Sequence, residues 1–311
     1  VTAETTETSF ATTVVDAMEQ TTGKYPGYRR AHARGVCFQG TFTPNGEASR
    51  LTTAAHLQTS PVPVTVRFSN SNGSPSVADG NRAGRGMAVR FHLPDGTDTD
   101  IISVNLPVFI ASSPEHFLNL LGALQKDPVT GVADPAKLQA YLGANPEAIP
   151  GFGEVAQMPI PVSYGTAKYW AIHAFNFVNS AKHQAIRYRW EPDLGLQELS
   201  EAEAATKSAE YLTEELPERL AKGPVGFTLR IQLAEPGDPT NDATKQWPAD
   251  RTELVVGRLE IVEPVEDQAH WAAQVFDPAR ITPGVELGDD PIPAFRSLAY
   301  AVSFGRRSHN E

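Results

Sequence analysis

Val62-Pro63-Val64-Thr65-Val66-Arg67-Phe68-Ser69-Asn70 is the stretch from which the organisation of the chain unfolds. It is rich in β-branched residues and alternates, with Val66 and Phe68 on one face of a strand and Arg67 and Ser69 on the other. Three stretches of the same kind lie around it, at 35–43, 86–93 and 100–110, each bounded by Gly, Pro, Asn or Asp. A second set of four follows at 170–179, 184–191, 226–234 and 253–262. In the first of these, Phe175 and Phe177 alternate with Asn176, as a half-buried strand requires. Helices are predicted over 114–125 and 135–142, where an initial Pro suits a first turn. A longer helix is predicted over 200–220, with Ser200 as N-cap and Glu203 as its capping-box partner. A closing helix is predicted over 292–303. Eight strands in two sets of four predict an α+β fold, a closed eight-stranded antiparallel β-barrel with inserted and C-terminal helices. There is no internal repeat. The expected organisation is a tail over 1–20 and a single domain over 21–311.

A chain of 311 residues with 41% hydrophobic content can bury a sizeable core. Its 37 acidic and 26 basic residues give a formal charge of −11. That balance argues against nucleic acid or an anionic membrane as partner and is indifferent to a small neutral substrate. Cys37 is the one cysteine, which excludes an intrachain disulfide, a Cys-rich zinc site and an iron–sulfur cluster. It is expected as a small buried residue on a strand. No apolar run approaches the ~20 residues needed to span a bilayer. Residues 1–13, rich in Thr and acidic groups, read as a solvated tail without the marks of an export signal. The cytoplasm is the expected compartment, although a cleaved leader would leave no trace in these residues.

Taken singly, the polar candidates are open to two readings. His32 precedes a strand and is either structural or, given its useful titration range, catalytic. Arg67 either faces solvent or, pointing into an apolar barrel, needs a buried anionic partner. Arg296 and Tyr300 are four apart on a predicted helix, so they meet either as a surface pair or within a site. Asn105 is a polar end to a strand, and Phe109 and Phe117 are ordinary core candidates.

Together these residues form an ordered series. It runs through Arg29-x-x-His32-Ala33-x-Gly35, Val66-Arg67-Phe68-Ser69 and Asp79-x-x-Arg82-x-x-Arg85-Gly86-x-Ala88-Val89-x-Phe91. It continues with Asp100-x-x-x-x-Asn105-x-Pro107-Val108-Phe109, Phe117, His173-x-Phe175-x-x-Val178-Asn179 and Thr228-Leu229-x-Ile231-Gln232. It ends with Thr244-Lys245-x-Trp247-Pro248, Phe276-Asp277-Pro278, Pro283-Gly284-Val285-Glu286 and Arg296-x-Leu298-x-Tyr300. The series resembles the haem-containing catalase family, over nearly the whole chain and in the family's order. The barrel implied is therefore of the catalase type.

The resemblance implies haem as cofactor, b-type, with Tyr300 bound to the iron as a phenolate, the axial ligation for which catalases are known. The Arg296 cation one turn away would stabilise that negative oxygen. Arg29, Arg67 and Arg296 match arginines that hold the haem propionates, which would supply the anionic partner Arg67 needs. His32 matches the distal histidine, which takes a proton from one peroxide oxygen and returns it to the other. Ser69 matches the serine that fixes its tautomer, and Asn105 a distal amide that orients peroxide. Phe109 and Phe117 would line the distal pocket. The activity implied is that of a short catalase-related peroxidase, reducing hydrogen peroxide or organic hydroperoxides through a compound I intermediate with small organic electron donors and weak catalase activity. The absence of Cys-x-x-Cys-His excludes a covalent c-type haem.

Departures from the family pattern refine these expectations. The family's large helical domain after the tyrosine and its long amino-terminal arm have no counterpart here, which implies no NADPH and a homodimer. Ser71 and Ala83 stand where the family carries a channel valine and a channel aspartate, implying a wider channel suited to bulkier hydroperoxides. Ala111-Ser112-Ser113 lacks a usual Arg-Asp pair, and Asp290 fits a carboxylate that helps hold Arg296. Two other readings stay open: a hydroperoxide isomerase resembling allene oxide synthase, disfavoured by Ala31 in place of Thr, and a non-catalytic haem-binding protein.

Overall fold

The structure, a computed structural model, describes residues 3–180 and 182–310. Helix α1 (Ala3–Thr22) leads into β1 (Gly35–Pro44), β2 (Val62–Asn70), β3 (Arg85–His92) and β4 (Asp98–Val104). Helices α2 (Pro114–Leu124), α3 (Pro135–Ala144) and α4 (Ile149–Ala156) follow, then β5 (Ile160–Pro161), β6 (Tyr169–Val178) and β7 (His183–Pro192). After β8 (Glu198–Leu199), α5 (Glu201–Ala204) and α6 (Tyr211–Leu220) come β9 (Val225–Leu233) and β10 (Glu253–Pro264). The chain finishes with α7 (Gln268–Ala273), β11 (Val285–Leu287) and α8 (Pro291–Ser308).

The eight expected strands pair antiparallel in the order β6-β4-β3-β2-β1-β10-β9-β7, and β6 pairs with β7 to close the ring; β11 flanks β6. The β4–β6 seam is thin, resting on the pair Val104↔Trp170. Strand β4 stops at Val104 rather than running to 110, because Pro107 has no N–H to offer a ladder. Inside the ring, alternate side chains such as Phe38, Phe42, Val64, Val66, Phe68 and Trp190 fill one apolar core. Phe68 stacks on Tyr164 at 5.1 Å and meets Tyr169 and Phe227. Phe68→Ala is expected to destabilise the fold by about 3–5 kcal/mol, read from the midpoint of urea unfolding. The barrel interior is therefore packed. Arg67 does not point into it but away, since it alternates with Val66 and Phe68.

Two expectations fail locally. The stretch 1–20 is not a solvated tail over the described residues: from Ala3 it is helix α1 (Val1 and Thr2 lie outside them). Phe10, Val14, Ala17 and Met18 recur at helical spacing and pack with Leu121 and Phe295. Arg306 binds Asp16 at 2.5 Å and Glu19 at 2.9 Å, and Glu19 also holds Arg30 at 2.6 Å. Hydroxyls of Thr12, Thr13, Thr21 and Thr22 donate to carbonyls four residues back, which hides the Thr-rich composition inside the helix. The predicted helix over 200–220 is two helices. Ser200 and Glu203 form the expected capping box on α5, but α6 starts afresh at Tyr211, where Asp79 Oδ2 accepts from the Leu212 N–H at 3.1 Å. Cys37 is buried on β1, as expected.

Candidate active site

On the outer face of β2, β3 and β4 the register lines up Arg67 and Ser69 with small and apolar residues. Arg67 sits opposite Ala88, which sits opposite Ile102; Ser69 sits opposite Gly86, which sits opposite Val104. Against this wall lies a cavity, roofed by Val15 and Met18 of α1 and by one face of α8. That face carries Arg296, Ala299, Tyr300, Ser303 and Arg307, spaced as one helical stripe. Arg29 to His32 and Val275–Phe276 complete the lining.

His32 has a left-handed backbone, φ 54°, unusual for a residue with a Cβ and costing on the order of 1–2 kcal/mol. Two hydrogen bonds hold it: its N–H donates to Ser71 O at 3.1 Å, and its carbonyl accepts from Arg67 Nη2 at 2.9 Å. The ring is then laid over Gly86, with Nδ1 2.9 Å from Ser69 Oγ. A Cβ on Gly86 would stand 2.6 Å from Ser69 Oγ and 2.7 Å from His32 Nδ1. Gly86→Ala is therefore expected to displace the imidazole and cut turnover by about 10-fold or more while the fold survives, a split checked by circular dichroism beside steady-state rates. Burial, then the cations of Arg67, Arg296 and Arg29, push the His32 pKa down to about 3, so the ring is neutral at physiological pH.

A linear relay reaches the same cavity at Arg296 and Tyr300. Asp290 Oδ2 lies 2.7 Å from His173 Nδ1, and His173 Nε2 lies 3.1 Å from Arg296 Nη1. Arg296 then donates Nε and Nη2 to Tyr300 Oη at 3.0 and 2.6 Å. Asp290 also caps α8 through the Ile292 N–H, so one carboxylate fixes both the helix start and the relay. Burial lowers the His173 pKa, opposed by Asp290. Asp290 thus reaches Arg296 through His173 rather than directly.

Four other arginines line the cavity, and of these Arg30 is paired with Glu19. Arg29 is pushed down to about 8 by burial and by the neighbouring Arg67 and Arg307 cations. Burial likewise lowers Arg67, and it pushes Arg307 down to about 10 with Arg67 and Arg30 adding repulsion. Their hydrogen bonds go to backbone carbonyls: Arg29 to Gln274, Arg67 to His32, Arg307 to Ala273 and Gln274. The Nε atoms of Arg67 and Arg307 are buried without a partner. Such a cluster has a negative partner still to receive.

The cavity brings together His32, Ser69, Arg29, Arg67, Arg296 and Tyr300. Asn105 lines a separate cavity; its Oδ1 accepts from the Arg85 N–H at 2.6 Å and its Nδ2 is buried without a partner. Phe109 and Phe117 pair at 5.8 Å, with Phe109 6.3 Å from His173, outside the first cavity's lining. Arg307 was not singled out in the sequence, although its place on the 296–300–303–307 stripe was a readable signal. It lies beside Arg67, whereas Arg296 is committed to Tyr300 and His173.

The buried histidines also fix an acid limit on stability. His56, packed on Phe91 at 4.6 Å, is pushed by burial to about 3, as is His32. Between about 3 and 6.5 the unfolded chain takes up protons that the folded chain refuses, so stability is full above 6.5 and falls as pH drops toward 3. Urea titrations across this window are expected to show a loss of up to about 1.4 kcal/mol per pH unit for the fully buried His56, removed in His56→Phe.

Residues 12–309 match the family model described as Catalase. A protein named catalase-related peroxidase from Mycolicibacterium paratuberculosis is 38% identical over 300 residues, covering 94% of this chain and 93% of that protein. One of the same name from Synechococcus elongatus is 32% identical, covering 95% and 88%. A catalase of Capsicum annuum is 29% identical over 88% of this chain but only 58% of its own length. A fungal catalase structure superposes with a TM-score of 0.82 at 24% identity, over 91% of this chain and 60% of that one, a likeness of fold.

Proposed function

The chain belongs to the catalase family, and from that premise we propose that it is a haem-dependent peroxidase that reduces hydrogen peroxide or an organic hydroperoxide at the cavity on the barrel wall. The observation that carries this reading is the meeting, in one cavity, of a neutral His32 tied to Ser69 with a Tyr300 oxygen held by two Arg296 donors. Haem fits the residues present. The wall of Gly86, Ala88, Ile102 and Val104 suits a planar macrocycle, and the buried Arg67 and Arg307 with the half-buried Arg29 are cations to which its two carboxylates would pair. We assign the metal-ligating role to Tyr300. Bound there, haem iron supplies the two-electron redox chemistry at the O–O bond.

The remaining work falls to side chains of this chain. With Nδ1–H donating to Ser69 Oγ, His32 keeps Nε2 as an acceptor; it takes the proton from one peroxide oxygen and delivers it to the other. Asn105 lines a separate cavity but directly follows Val104 of the wall; we assign its unspent Nδ2 donor to orienting the peroxide, its amide held the right way round by the Arg85 N–H. Arg296 stabilises negative charge on Tyr300 Oη, and His173 and Asp290 hold Arg296 in place. Phe109 and Phe117 are assigned to the distal side. Electrons return from small organic donors. We propose b-type haem, one domain that includes α1, and a homodimer.

The test is the absorption spectrum of haem-loaded protein before and after a small excess of peracetic acid. A high-spin ferric phenolate band that bleaches and then recovers on adding a phenolic donor is expected. No haem band after reconstitution would overturn the reading.

A further inference from the structure

Trp271 sits half-buried on α7, the short helix packed on β1. Its ring centroid is 6.4 Å from that of Phe276, which lines the cavity. Two imidazoles flank it, His92 at 5.7 Å and His270 at 5.3 Å in an edge-on arrangement. The Arg90 guanidinium lies 4.8 Å above the Phe276 ring. Trp190 and Trp247 are buried; Trp170 shares the half-buried state but, among the described residues, has no ring contact with an aromatic residue of the cavity lining. Trp271 thus joins the protein surface to the cavity through a single intervening ring.

We propose that Trp271 is a surface electron port through which aromatic donors too bulky for the cavity, phenols or anilines without anionic groups, drive the peroxidase reaction. The proposal rests on the haem peroxidase reading above. The cavity lies between the barrel wall, α1 and α8, and one-electron transfer from a donor too large to enter it requires only contact with a conducting ring at the surface. In each turn the indole gives one electron to the cofactor oxidised by peroxide and releases its Nε1 proton to a flanking imidazole or water. The donor then returns one electron and one proton, restoring Trp271 and leaving as a neutral radical. Two turns consume the two oxidising equivalents that one peroxide supplies. Glu263, Glu266 and Asp267, exposed on the approach to α7, favour neutral or cationic donors over sulfonated ones.

The experiment uses haem-loaded protein, hydrogen peroxide and one phenol in two forms, free and tethered to dextran. Trp271→Phe is expected to lose about tenfold or more of dextran–phenol oxidation while the free phenol stays within about twofold of native. Trp271→Tyr, which keeps an oxidisable ring, is expected to recover part of the loss, and Trp170→Phe to behave as native. With no donor, peroxide in the presence of a nitroso spin trap is expected to leave a covalent adduct on the peptide carrying Trp271, read by mass spectrometry. Native rates for both donors in Trp271→Phe, a loss confined to Trp170→Phe, or an adduct absent from Trp271 overturns the port alone. Native protein that oxidises neither donor overturns the peroxidase reading and the port with it.

Discussion

His32→Ala is expected to slow the reaction with hydrogen peroxide by about 10²–10⁴-fold while haem stays bound. The imidazole is built for proton transfer at several levels at once. Its backbone is held in a left-handed turn by Ser71 and Arg67, its Nδ1 is tied to Ser69, and burial with three nearby cations keeps it neutral. Alanine removes the proton carrier and leaves the Tyr300 side untouched. Stopped-flow rates with peroxide, beside haem content, separate the two. A variant reacting at the native rate would remove His32 from the chemistry and leave it a structural turn residue.

Tyr300→Phe is expected to have the larger effect on the cofactor itself. The phenol oxygen is the point on which Arg296 Nε and Nη2 converge, and its loss leaves a half-buried guanidinium with two donors unspent. A hydrogen bond to a charged group contributes roughly 1.5–3 kcal/mol, so stability should fall by about that amount. Haem bound per chain after gel filtration should fall by about tenfold, and any residue of ferric spectrum should lose its phenolate character. Native haem stoichiometry with a native spectrum would show that the iron takes another ligand.

Much of the fold was legible because strand alternation is a local signal: the strand 62–70 was placed to the residue, and the other barrel strands to within a few residues, β4 excepted. What escaped depends on distant partners. Helix α1 hides in a Thr-rich, acidic sequence whose stripe of Phe10, Val14, Ala17 and Met18 gains meaning only against α8 and α2. The break before α6 is made by Asp79, a cap 133 residues away in sequence. Which side of the barrel carries the site was also illegible, since alternation at Arg67 and Phe68 separates two faces without saying which encloses the core. Individual site residues were visible mainly as an ordered series. Arg307 was missed because it follows the last motif of that series, although the helical period pointed to it.

The cavity's placement has a consequence for the order of events during synthesis. Its wall and His32 are made early, and the packed barrel can form around its own apolar core once β10 is out. Tyr300 and Arg307 lie on α8, and the roof is completed only when that helix meets α1. At roughly 5–20 residues per second, on the order of tens of seconds separate the two halves of the site. A nascent chain stalled before residue 290 is expected to capture no haem on the ribosome, so that cofactor loading waits for α8 rather than for the barrel.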